Sequence, residues 1–153
     1  APRIIREGEA RGRLVGGNLS ILGALCGTPW ALDARDAIWF FEDVGERPYR
    51  LDRMWTHLAL VGVFQKVRGI VLGDFTECEE PTPAPSSPEK PARRAEVLAS
   101  LARDTGLPCA AGFPIGHGQV NLSVPLGCRV RLDASAPRLD FLEAAVQPPG
   151  SRR

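Results

Sequence analysis

Long apolar runs are missing from this sequence. No stretch reaches the roughly 18 consecutive apolar residues that a membrane span needs, so a helical membrane protein is not expected. The opening, Ala1-Pro2-Arg3-Ile4-Ile5-Arg6-Glu7, lacks the apolar segment of a secretory signal. Charge imbalance is missing too. With 19 Lys+Arg against 18 Asp+Glu, the net charge of +1 leaves no footprint for nucleic acid or an anionic membrane. Lysine is scarce, with Lys66 and Lys90 alone among the arginines, and methionine occurs only at Met54. A first residue other than methionine suggests a piece of something longer. Cys26, Cys78, Cys109 and Cys128 form no C-x-x-C pair, and neither His57 nor His117 stands at metal-ligand spacing from them. Reduced, packed thiols in a cytoplasmic protein are the expectation, without a metal. No serine lies in a G-x-S-x-G elbow, and no cysteine stands in an electropositive setting that would mark it as reactive.

What is present is an ordinary globular composition, 44% hydrophobic and 24% charged over 153 residues, long enough for one domain with a core. The densest signal is Ala37-Ile38-Trp39-Phe40-Phe41, a strand apolar on both faces. It runs into Glu42 and Asp43, then Gly45 and Glu46. Ligands in open α/β sheets collect outside the carboxyl ends of the strands. There a partly desolvated carboxylate can orient a histidine or act as acid or base. Asp43 and Glu46 have an equally good reading as caps of the helix predicted from Pro48 to Lys66. Glu42 lies too far from that helix to cap it, which makes it the better functional candidate.

Upstream, residues 1–12 read as an extended lead-in rich in charge, and Gly12 to Val15 reads as a strand entering the turn Gly16-Gly17, with Asn18 as N-cap of a helix over 19–26. Two glycines there would let backbone N–H groups approach a ligand, although a plain tight turn is the commoner explanation. Downstream, Gly69 to Gly73 is a second buried strand followed by Asp74. Strand, helix and apolar strand in succession predict a parallel pair joined by a crossover helix. That arrangement puts Glu42 and Asp74 on one sheet edge. The Glu- and Pro-rich tract 77–92 reads as a surface loop, 95–105 as a helix, and Val120 onward as two or three antiparallel strands. The tail 147–153 reads as frayed, leaving 1–146 as one domain. His57 falls beside the apolar stripe of its helix and reads as an ordinary surface residue. His117 sits between Gly116 and Gly118, a loop with backbone freedom and little bulk, which favours an aimed imidazole for proton transfer.

These segments, taken together, resemble the C-terminal half of the L,D-carboxypeptidases, serine peptidases of murein recycling whose relatives include microcin C immunity peptidases. The resemblance runs through Gly16-Gly17-Asn18-Leu19-Ser20, Gly27-Thr28-Pro29 and Phe41-Glu42-Asp43-Val44-Gly45-Glu46. It continues through Tyr49 to Arg53, Gly69 to Phe75, Gly116-His117-Gly118 and Pro125-Leu126-Gly127. It implies an α/β fold of the swivelling type: a small mixed β-sheet with crossover helices and an antiparallel C-terminal part. It also implies a Ser-His-Glu triad whose histidine maps onto His117 and whose glutamate maps onto Glu42, with Glu46 as runner-up. Gly16, Gly17 and Asn18 are accessory candidates. The implied reaction releases terminal D-alanine from a murein tetrapeptide by cleaving an L-to-D amide bond, without metal or organic cofactor. The family's serine lies in a preceding N-terminal domain that this chain lacks, so the chain alone is expected to be inactive. That domain and a murein peptide are the implied partners, and a homodimer of the full-length protein is compatible with the resemblance. The competing expectation is a non-catalytic binding module that keeps the fold.

Overall fold

A computed structural model describes residues 1–80 and 93–146. Its elements alternate as strand and helix through the middle of the chain: β1 (Arg3–Arg6), β2 (Glu9–Asn18), α1 (Leu19–Leu25), β3 (Ala37–Val44), α2 (Pro48–Leu60), β4 (Gly69–Thr76), α3 (Arg94–Asp104) and β5 (Cys109–Ala111). A hairpin of β6 (Arg129–Asp133) and β7 (Arg138–Phe141) follows. All seven strands form one mixed sheet in the order β1-β5-β4-β3-β2-β6-β7. The four central strands are parallel, and β1, β6 and β7 join by antiparallel pairing. The sheet is larger than the small one expected, because the charged lead-in supplies β1 and lengthens β2. Ile5 anchors β1 in the core.

Each crossover advances by one strand in the same direction. Right-handed connections of that kind deposit every helix on the same face, and α2 packs between α1 and α3. Under the helices lies a core that includes Leu19, Leu22, Trp39, Phe41, Leu51, Trp55, Leu58, Leu72 and Leu98. Its centre is a run of aromatic contacts: Trp39 to Phe41 at 5.5 Å, Phe41 to Trp55 at 5.0 Å, and Trp55 stacked on Phe64 at 4.7 Å between ring centroids. Alternation along β3 sends Ile38 and Phe40 to the other face, where they meet Leu14, Val71, Phe113, Ile115, Val130 and Leu132. Covered on both sides, β3 is buried from Ala37 through Asp43.

The expected helix over 48–66 stops at Leu60, because Gly62 takes φ +77°, a left-handed conformation suited to glycine. The carboxylates do not cap α2 either. Its N-cap position is Arg47, which makes no side-chain capping bond, and Pro48 opens the first turn. The strand expected around Val120, Leu122 and Val124 does not form. Val120 and Leu122 lie exposed in a loop, so their alternation has no sheet to bury it. The other two C-terminal strands are present as β6 and β7. Within the proline tract only residues 77–80 are described, and neither residues 81–92 nor the tail 147–153 belongs to the described residues.

Candidate active site

The local backbone at the carboxyl ends of β2, β3 and β4 follows from small residues at close approaches. On β2, Gly16 has φ +139° and lies so near β3 that an added Cβ would fall 2.0 Å from the Phe40 carbonyl oxygen. Between β3 and β4 the register slips. Phe41 pairs with Leu72 and Asp43 with Phe75, so Gly73 and Asp74 together oppose Glu42. This is a β-bulge, which re-aims side chains at a sheet edge. At the bulge, a Cβ on Gly73 would fall 2.2 Å from the Ile115 carbonyl oxygen and 3.4 Å from Glu42 Cβ. The segment after β5 therefore lies directly over the strand ends.

That segment delivers His117. The Asp74 amide donates to the Ile115 carbonyl at 2.9 Å, the Gly116 amide to Asn121 Oδ1 at 3.2 Å, and the Leu122 amide to the Pro114 carbonyl at 2.8 Å. Gly116, at φ +125°, presses on Glu42: a Cβ there would come within 2.8 Å of that side chain. Gly118 likewise faces the Asp74 carboxylate, with an added Cβ 2.3 Å from Oδ2. The glycines on either side of the histidine thus have steric reasons, one against each acidic residue.

Glu42 and His117, 75 positions apart in sequence, meet at 2.6 Å between Oε2 and Nδ1. The glutamate side chain is 7% exposed and the imidazole 53%, so a buried carboxylate holds a ring whose other edge is open. With a Glu42 carboxylate oxygen as the acceptor, His117 Nδ1 is the donor and the neutral ring keeps an unprotonated Nε2. The hydrogen bond to Glu42 is the largest influence raising the His117 pKa above its usual value. The Glu42 charge adds to it, partial loss of water opposes it, and the Asp43 charge contributes least.

Asp43, next along β3, is 2% exposed and points to the helix-covered face. It accepts from Asn18 Nδ2 at 2.9 Å, from the Ser20 amide and hydroxyl at 3.0 and 2.8 Å, and from the Val44 amide at 2.8 Å. Asn18 in turn caps α1 by accepting from the Ile21 amide. Asp43 therefore ties the Gly16-Gly17-Asn18 turn to the end of β3. Glu46 is elsewhere, paired with Arg50 at 3.3 Å. The structure thus joins Glu42 to His117, places the glycine turn and Asn18 on the neighbouring strand end, and leaves Glu46 outside the pair. His57 is exposed on α2.

Among the described residues, His117 hydrogen-bonds only to Glu42, so no hydroxyl or thiol is bonded to its ring. Ser20 is engaged with Asp43, and burial pushes the Cys109 thiol up to about 12 and raises Cys78 as well. The same described residues contain no group of three or more His, Cys, Asp or Glu able to hold a metal ion, and no helix long and apolar enough to cross a membrane. The sequence reading missed Asp43's tie to α1, the bulge and Asn121. Only the Gly73-Asp74 pair ending an apolar run hinted at the bulge.

Comparison with known proteins extends the picture. A family model described as LD-carboxypeptidase C-terminal domain matches residues 11–132. A Synechocystis protein, provisionally named a carboxypeptidase, is 44% identical over 137 residues, which are 90% of this chain and 44% of that protein. The crystal structure of muramoyltetrapeptide carboxypeptidase from Oxalobacter formigenes superposes with a TM-score of 0.76 at 30% identity, covering 90% of this chain and 47% of that one. The microcin C7 self-immunity protein of Escherichia coli superposes at 0.77 and 28% identity, covering 95% and 42%. The chain spans less than half the length of each of these proteins.

Proposed function

The chain belongs to the LD-carboxypeptidase C-terminal domain family, and on that premise we propose that it is the acid–base half of a serine peptidase site. The observation behind this reading is the 2.6 Å contact between buried Glu42 and half-exposed His117. Glu42 fixes the imidazole in the tautomer that leaves Nε2 free. Nε2 takes the proton from an incoming serine hydroxyl as its oxygen attacks the amide carbonyl, and Glu42 stabilises the imidazolium formed. The imidazolium returns that proton to the leaving amine, producing an acyl-enzyme. Water, deprotonated by the same nitrogen, then releases the acid and restores the serine.

The serine and the donors for the oxyanion come from an N-terminal domain joined to or associated with this chain. The substrate is a cytoplasmic murein tetrapeptide, cut at the L-to-D bond before its terminal D-alanine. Metal and organic cofactors play no part. Similarity to a probable murein peptide carboxypeptidase of Bacillus subtilis, 37% identical over 139 residues, and to a murein tetrapeptide carboxypeptidase of Pseudomonas aeruginosa, 34% over 139 residues, supports a murein-peptide substrate.

The test combines this chain with a serine-bearing N-terminal half and measures D-alanine release from the tetrapeptide. Release by the combination, none by the chain alone, and none after His117→Ala is the expected result. Undiminished release in the variant, or hydrolysis by the isolated chain, overturns the split-site reading. No release by any combination leaves the binding-module reading standing in its place.

A further inference from the structure

Asp74 stands on the bulge of β4 beside Glu42, at the carboxyl ends of the parallel strands. A bulge turns a side chain away from the direction that strict alternation would give it. Here the result is contact with the His117 loop: a Cβ on Gly118 would fall 2.3 Å from Asp74 Oδ2 and 3.2 Å from Oδ1. The carboxylate therefore lies against the residue that follows the histidine, and consecutive Cα atoms are only about 3.8 Å apart. The bulge and the bare Gly118 together place a negative charge next to the Glu42–His117 pair.

That charge has no work in the framework. The Asp74 amide is tied to the Ile115 carbonyl at 2.9 Å, which fixes the backbone. The carboxylate, on a partly exposed residue, enters no side-chain hydrogen bond or ion pair among the described residues. Arg3 and Arg94 line a small cavity with Asp74, yet neither pairs with it, and Arg94 is held by Glu79 at 3.2 Å. An ionised carboxylate only accepts, and a cation is its strongest donor. The murein tetrapeptide of the peptidase reading, on which this inference rests, carries one in the right place. The residue on the acyl side of the cut bond is a diamino acid, and in an uncrosslinked peptide its second amino group is a free ammonium. We propose that Asp74 receives this ammonium in a charge-assisted hydrogen bond and so selects peptides with a cationic residue before the terminal D-alanine.

The probes are two tetrapeptides that differ only in the third residue, lysine in one and norleucine, which lacks the ammonium, in the other. D-Alanine release by the protein completed with its serine-bearing half gives kcat and KM for each. The expected result is a preference for the lysine peptide of about tenfold in kcat/KM, carried by KM. Raising the salt concentration shrinks that preference, and Asp74→Asn, which keeps the shape of the side chain, removes it. A structural role for Asp74 would instead slow both peptides alike and leave their ratio intact, which overturns the proposal. So does equal use of the two peptides by the unsubstituted protein, or a preference that neither salt nor Asp74→Asn alters. Release that needs His117 but shows no such preference overturns this inference alone. No release from either peptide overturns the peptidase reading and this inference with it.

Discussion

On the helix-covered face of the sheet the end of β3 carries Asp43, and on the other face, one residue earlier, it carries Glu42. Both carboxylates are buried, and the one-residue step along a strand is what separates their surroundings. Asp43 accepts four hydrogen bonds from Asn18, Ser20 and Val44, all within the framework. Among the described residues Glu42 has one hydrogen-bond partner, and that partner is half exposed. A carboxylate enclosed by fixed donors holds a structure together, whereas one bonded to a single titratable ring can exchange influence with whatever reaches that ring. The comparison separates framework from chemistry at adjacent residues.

The largest expected effect tests the chemical face. In the protein completed by its serine-bearing half, His117→Ala lowers kcat by a factor on the order of 10⁴ to 10⁶. Thermal unfolding changes little, because the ring is half exposed. A large loss of stability with modest loss of turnover would assign His117 to the framework and erase the contrast. Gly116→Ala comes next. A side chain at φ +125° and 2.8 Å from Glu42 costs roughly 1–3 kcal/mol in strain. It also displaces the imidazole, for an expected loss of about 10² in turnover; denaturant midpoint and kcat measured on the same sample check both effects.

On the framework face, Asp43→Ala leaves the Ser20 and Val44 amides without their acceptor and costs roughly 2–3 kcal/mol. The change appears as a lower denaturant midpoint at constant slope.

A subtler prediction concerns pH. Glu42 raises the His117 pKa by favouring the imidazolium, so the neutral base appears only at higher pH than for an ordinary histidine. Stability contributed by the pair is complete below the ordinary value near 6.5 and is lost as pH rises through the raised folded value. Glu42→Gln therefore moves the acid limb of the pH–rate profile toward lower pH while slowing turnover, and an unmoved limb would uncouple the two residues. The smallest effect belongs to Glu46→Ala, which removes only the half-exposed pair with Arg50. Stability should stay within about 0.5 kcal/mol, with the acid limb in place.

Much of the architecture was legible because the parallel strands are buried on both faces and read as unbroken apolar runs. Trp39 to Phe41 and Ile70 to Leu72 announced adjacent parallel strands, and Asn18 announced the start of α1. The limits lay where local pattern and tertiary context part. Val120 and Leu122 alternate like a strand but have no neighbour to pair with. The lead-in looked merely charged because β1 is an edge strand, exposed except at Ile5. At the site, the glycine-flanked histidine and the carboxylate ending an apolar strand were visible separately. Their meeting depends on the order of strands across the sheet, which no short motif contains. The bonds from Asn18 and Ser20 to Asp43 were hidden for a similar reason, since those residues lie 23 to 25 positions away.

The bulge opposite Glu42 also acts as a ruler. The separation between the acid and the imidazole is set by the two β4 residues facing one β3 residue and by the carbonyl of Ile115 resting where Gly73 has no side chain. It is not set by how many residues intervene along the chain. Segments connecting β4 to α3 can therefore lengthen or shorten without altering the 2.6 Å contact, and a search of other genomes by Glu-to-His spacing would discard true counterparts. A search for the local signature, an apolar strand ending in glutamate beside another ending in Gly-Asp, would retain them.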